Sequence, residues 1–182
     1  TVQGGTYQPS KSGVITIDTT EKVTLEITGN INMLGCNKGC FISIENACKE
    51  LTIINKDTVN VDNNIFLCNK NKDATVTFEG GTYEALTNDG VPIIVNGGVV
   101  NLKNVKFNAT GSVYYGRIVQ NYWSDLEGTI NIQDGTILDD NNRSGNYPVY
   151  PCIDLGTVNM YGGTITSSEG KGNRGIVASN MK

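Results

Sequence analysis

The stretch "ILDDNNRSG", residues 137–145, is where this chain comes nearest to solution chemistry. It sets two carboxylates, Asp139 and Asp140, beside a guanidinium, Arg143. Adjacent carboxylates in an Asn/Gly-rich segment can ligate Ca²⁺ through hard oxygen donors. With Asp125 or Glu127 they could also form an acid–base pair, which needs carboxyl groups within about 5–9 Å of each other. The competing reading is that Asp-Asp-Asn-Asn caps a turn through side-chain to backbone hydrogen bonds.

Six aromatic residues surround that stretch. Tyr114, Tyr115, Tyr122 and Trp123 lie in "SVYYGRIVQNYWSDLEG", and Tyr147 and Tyr150 in "NYPVYP". Such rings offer a flat apolar face with a polar handle. They suit the C–H face of a sugar, with Asp139, Asp140 and Arg143 available to its hydroxyls. They equally suit a protein partner, where Tyr, Trp and Arg dominate the binding energy, or packing against the chain itself. The ligand-binding set expected from sequence is therefore Tyr114, Tyr115, Tyr122, Trp123, Asp139, Asp140, Arg143, Tyr147 and Tyr150. Two glycosylation sequons, at Asn108 and Asn142, matter only in a chain secreted by a eukaryote.

Other chemistries find little support. The chain has no His, and its cysteines, Cys36, Cys40, Cys48, Cys68 and Cys152, contain no CxxC pair. They read as structural or incidental thiols, with a disulfide or a zinc cluster as the alternatives. No cofactor is expected, Ca²⁺ at Asp139/Asp140 being the one exception considered. A net charge of -4 without a Lys/Arg run argues against nucleic acid as a partner. No apolar run reaches the ~18 residues that would insert into a bilayer.

The elements that must position these groups are repeats. "GTVNMYGGTI" (156–165) follows "GTINIQDGTI" (128–137), "GVVNLKNVKF" (98–107) and "ATVTFEGGTY" (74–83). Apolar residues recur at Leu25, Leu51, Val76, Val100, Ile130 and Val158, roughly every 25 residues, a period that implies a solenoid. A second set is Val2, Ile27, Ile53, Phe78, Leu102, Ile132 and Met160; a third is Tyr7, Val59, Tyr83, Phe107, Ile137 and Ile165.

A further strand recurs between the blocks, among its copies "FISI" (41–44), "IFLC" (65–68), "PIIV" (92–95) and "RIVQ" (117–120). Its expected inward pairs include Phe66/Cys68, Ile93/Val95 and Ile118/Gln120. That leaves Leu67, Ile94 and Val119 facing outward, where an apolar column would need cover. Period-two alternation in β-branched segments broken by Gly, Asn and Asp is a strand signal.

The expected fold is all-β: a right-handed parallel β-helix of about six to seven coils. Gly81, Gly135 and Gly163 are expected at bends that need positive φ. Thr6, Thr82, Thr136 and Thr164 would form one column. Asn101, Asn131 and Asn159 would form an outward ladder continuing Glu26, Thr52 and Thr77.

These repeats resemble the right-handed parallel β-helices of the pectin-lyase-like superfamily. More narrowly, they are similar to repeat regions of large bacterial cell-surface adhesin-like proteins, from Val2 to about Ala178. Enzymes of that superfamily are mostly polysaccharide lyases and glycoside hydrolases. The resemblance implies outward carboxylates plus an Arg or Lys base for the lyases, and clustered Asp with Gly-His-Gly for the hydrolases. The absence of His removes the second pattern.

Residues 1–182 are thus expected to be a single domain, a fragment of a solenoid continuing at both ends, with longer loops at 108–127 and 138–151. The function expected is a non-catalytic segment of a secreted or cell-surface protein that presents an aromatic loop face to a glycan or host surface protein. A β-helix polysaccharide lyase or glycoside hydrolase, and a purely structural stalk, are the alternatives.

Overall fold

The computed structural model describes residues 1–8, 14–34, 40–62, 65–86, 93–109, 118–120, 127–140, 153–154, 156–167, 176–177 and 180–182. Among them there is strand, turn and bend but no helix.

Strand β1 (Val2–Tyr7) precedes a coil made of β2 (Ile15–Ile17) and the long β3 (Val23–Met33). The next coil is β4 (Cys40–Ile44), β5 (Glu50–Asn55) and β6 (Thr58–Val61). Then come β7 (Ile65–Asn69), β8 (Thr75–Glu79) and β9 (Thr82–Ala85), followed by β10 (Ile94–Asn96), β11 (Val99–Lys103) and β12 (Lys106–Ala109). The stack continues with β13 (Val119–Gln120), β14 (Thr129–Ile132) and β15 (Ile137–Asp140), then β16 (Ile153–Asp154), β17 (Thr157–Met160) and β18 (Thr164–Ser167). It finishes with β19 (Ile176–Val177) and β20 (Asn180–Met181). About four turns are described without a break (14–34, 40–62, 65–86 and 93–109), fewer than the six to seven expected. Beyond residue 109 strands continue the stack, while segments that join them lie outside the described residues.

Every strand pairing is parallel, each strand lying on its counterpart in the neighbouring coil. The result is a parallel β-solenoid with three faces. The first half of β3 stacks with β5, β8, β11, β14, β17 and β20 as face one. Its second half stacks with β6, β9, β12, β15 and β18 as face two. Strand β3 turns the corner between these faces without interruption, at Gly29 with φ 86°. Face three is the separate seven-stranded sheet β2–β4–β7–β10–β13–β16–β19.

The apolar column Leu51–Val76–Val100–Ile130–Val158 stands in register as expected. Its first member is Val23, and Leu25 instead faces Ile53. In "VTLEITGNINM" apolar residues alternate along the whole strand, so a two-residue slip keeps every side chain on its face. Only the cross-strand bonds choose the register. The outward column accordingly begins at Thr24, not Glu26, and runs Thr24–Thr52–Thr77–Asn101–Asn131–Asn159.

The third apolar column is Val59–Tyr83–Phe107–Leu138–Ile165. Leu138 takes the place expected for Ile137 and is fully buried, while Ile137 is 39% exposed. The corner at 133–136 is longer than that at 104–105, which shifts the strand by one residue and reverses its facing. The expected Thr column is corrected with it. Thr82 and Thr164 share a column with Lys106 and Ile137. Thr136 is buried, its hydroxyl donating to the Leu102 carbonyl (3.0 Å). Thr6 sits beside Asn32, and Tyr7 beside Met33.

On face three, Ile15, Ile42, Leu67, Ile94, Val119, Ile153 and Ile176 form one in-register column. Leu67, Ile94 and Val119 belong to the main core, so the outward apolar column expected from sequence is corrected. Phe66, Ile93 and Ile118 are core residues too. Ile93 and Ile118 occupy bends just before their strands, where the chain turns and successive side chains can both face inward. Cys68 and Val95, expected inward, pack in a separate small cluster.

An aromatic stack runs through the core. Ring centroids lie 5.3 Å apart for Tyr7–Phe41, 5.6 Å for Phe41–Phe66, 4.9 Å for Phe66–Tyr83 and 5.0 Å for Tyr83–Phe107. Each such pair adds about 0.5–1.5 kcal/mol beyond the area it buries.

Candidate functional site

Of the expected binding residues, Tyr114, Tyr115, Tyr122, Trp123, Arg143, Tyr147 and Tyr150 lie outside the described residues. The strands flanking them are described, and these divide the set. Strands β12 and β15 are direct neighbours, with Asn108 opposite Asp139. In sequence, Tyr114 and Tyr115 follow β12, and Tyr147 and Tyr150 follow β15. Tyr122 and Trp123 instead fall in sequence between β13 and β14.

Asp139 and Asp140 are part of strand β15, not of a turn. The strand continues through Asp140, with Leu138 filling the core column beside Phe107. Asp139 is half-buried and accepts a hydrogen bond from Thr166 Oγ1 (2.8 Å) on the next coil. It stands in one column with Glu84 and Asn108. The Asn108 side chain is 8% exposed and its Oδ1 is buried without a hydrogen-bond partner. The first sequon therefore presents a buried amide. Among the described residues no three Cys, Asp or Glu gather in a way that could hold a metal ion, and no helix is long and apolar enough to cross a membrane.

The corner between faces one and two carries a concavity that sequence reasoning did not single out. A shallow groove of about 460 Å³ runs along it across three coils, walled by Ile54, Lys56, Glu79, Lys103 and Asn104. Its floor is the Gly80–Gly81 pair, with φ 74° and 80°. A Cβ on Gly81 would lie 2.2 Å from Asn55 Nδ2, so only glycine lets the buried Asn55 side chain remain under the chain. Lys103 pairs with Glu79 at 3.2 Å, and both are substantially exposed. The groove thus offers one ion pair, a second ammonium and an amide around an apolar contact, chemistry suited to a hydroxylated or acidic ligand. The sequence signal was present in the "NK", "GG" and "KN" steps that end β5, β8 and β11.

Beneath the groove Tyr83 is fully buried, and its hydroxyl has no partner satisfying hydrogen-bond geometry. Burial pushes its phenol well above the ordinary range, opposed only in part by the Asn55 amide beside it.

Asn side chains supply most of the cross-coil polar order. Asn101 Nδ2 donates to Thr77 Oγ1 (3.2 Å), Asn131 Nδ2 to Asn101 Oδ1 (2.7 Å), and Asn159 Nδ2 to Asn131 Oδ1 (2.8 Å). A second, buried pair joins Asn69 Nδ2 to Asn96 Oδ1 (3.1 Å). Cys48 is buried in the main core, away from the cluster that holds Cys40 and Cys68, so the described thiols form no shared Cys36/Cys40/Cys48-type zinc set. Cys40, Cys48 and Cys68 are all free. Comparison of the chain with protein-family models, with curated proteins and with solved structures finds no match to any of them, so its place is given by architecture alone, a parallel β-solenoid.

Proposed function

We propose that this chain is a non-catalytic segment of a secreted or cell-surface, adhesin-like bacterial protein. In this reading its solenoid is a stiff support that presents aromatic loops to a glycan or to a host surface protein. One observation carries the proposal: β12 and β15 lie in register on adjacent coils. Tyr114 and Tyr115 follow the first of these strands in sequence and Tyr147 and Tyr150 the second, and loops on a rigid scaffold are where binding residues concentrate. Parallel, in-register stacking supports the stiffness, because each coil is held by a ladder of backbone bonds and by Asn-to-Asn bonds along the outside. The Asp139 carboxylate, accepting a hydrogen bond within the strand stack, serves that order in the same way.

The test is a glycan array followed by titration of any hit against Tyr147→Ala and Trp123→Ala. Loss of a stacking ring is expected to weaken binding by at least about tenfold. Unchanged affinity in both variants would dispose of the aromatic platform. Absence of any glycan or host-protein ligand would favour a bare stalk. Polysaccharide cleavage that Asp139→Asn abolishes would replace the reading with an enzyme.

A further inference from the structure

We infer that Cys40 and Cys68 form a two-thiolate site for a soft, linearly coordinating monovalent cation, copper(I) or silver(I), built between adjacent coils of face three. The two thiols do not belong to the main core. With Val95 they make a separate buried cluster on the other side of the sheet, flanked by Ile65. Cys68 stands in one column with Ser43 and Val95, and Cys40 opens the neighbouring strand opposite Ile65. Phe41 and Ile42, and likewise Phe66 and Leu67, are consecutive core residues. This double inward step leaves Cys40 and Ser43 on the same, outer side of the strand, and Cys40 packs in one cluster with Cys68. Cys40 Sγ donates to the Ile42 carbonyl oxygen (2.7 Å), so its side chain reaches along the strand towards Ser43, the residue opposite Cys68.

The surroundings select the ligand. Thiolates prefer soft cations over Mg²⁺ or Ca²⁺. Among the described residues no third Cys, Asp or Glu completes a metal-holding group, and His is absent from the chain, which leaves a tetrahedral zinc site without its ligands. Two sulfurs in an apolar setting match two-coordinate geometry. Both keep slight exposure, 9% for Cys40 and 6% for Cys68, whereas Val95 has none, so the site opens at the surface.

Lys70 follows Cys68 by two residues. On binding, each S–H still present breaks, two metal–sulfur bonds form and the protons pass to solvent. No electron is transferred, and Lys70 offsets the single negative charge of the bis-thiolate complex.

The experiment is an anaerobic titration of the whole chain with copper(I), held reduced by ascorbate and competed by bicinchoninate. One tight equivalent is expected in the wild type, in Cys48→Ser and in the double variant Cys36→Ser/Cys152→Ser. At least a hundredfold weaker binding is expected in Cys40→Ser and in Cys68→Ser. X-ray absorption of the wild-type complex should show two sulfur neighbours, which tests the site even if a variant fails to fold. No tight equivalent in the wild type, its survival in both Cys40→Ser and Cys68→Ser, its loss in Cys36→Ser/Cys152→Ser, or nitrogen or oxygen neighbours at the metal would each overturn the inference.

Discussion

The corner between faces one and two and the corner between faces two and three solve the same geometric problem in opposite ways. At the first, the connections are 56–57, 80–81 and 104–105 in three successive coils. At the second they are 62–64, 86–93 and 110–118, then 141–152 one coil further on. Further along the stack this corner lengthens only to 133–136 and 161–163. Gly80, Gly81, Gly135 and Gly163 all have positive φ, as does Asn104, and Asn55 Oδ1 accepts the Asp57 amide (3.0 Å) to close its turn. The variable corner lets length change without disturbing the strands on either side, because β9, β12 and β15 still pair in register. Register is therefore set at one corner, where a small change in length at 133–136 shifts the strand, and the larger changes in length fall at another. That division is what a scaffold for binding loops requires.

The sharpest way to break the comparison is to lengthen each corner equally. Inserting Gly-Ser-Gly-Ser between Lys103 and Asn104 prevents Leu102 and Phe107 from both keeping their core columns. We expect a loss above about 4 kcal/mol in urea denaturation. The same insertion between Asp89 and Gly90 is expected to change stability by less than about 1 kcal/mol, since loop entropy grows slowly with length. Equal effects would erase the distinction.

A smaller effect is expected from Gly81→Ala. It combines a left-handed backbone with a Cβ driven against Asn55, for a loss of about 3 kcal/mol. A neutral result by chemical denaturation would mean that the tight corner has slack after all. Asn131→Ala removes one ladder bond to Asn101 and one from Asn159, on a half-buried side chain. Thermal or urea melts should register about 1–2 kcal/mol. Smallest is Lys103→Met at the lip of the groove. Its ion pair with Glu79 is exposed and screened by salt, so the change should stay within about 0.5 kcal/mol and vanish at high ionic strength.

Much of this was legible in the sequence. Val76, Val100, Ile130 and Val158 occupy the same place in decapeptides of the same apolar pattern, so their stacking followed from spacing alone. The bends at Gly81, Gly135 and Gly163 followed from the chemistry of glycine. Other particulars escaped. Val23 and Leu25 are interchangeable to any pattern of period two. Ile137 and Leu138 are adjacent and both apolar, and the length of the corner before them decides which is buried. The aromatic residues could be counted, but the strands between which each falls depend on where β13 interrupts the segment.

By itself, then, the sequence determined that the chain coils, which residues recur and where glycine must turn it, because these are local preferences repeated many times. Tertiary structure decided the register, the groove over Asn55 and the meeting of Cys40 with Cys68. Each of those depends on how one coil lies on the next, through hydrogen bonds and packing between residues distant in sequence that no local preference encodes.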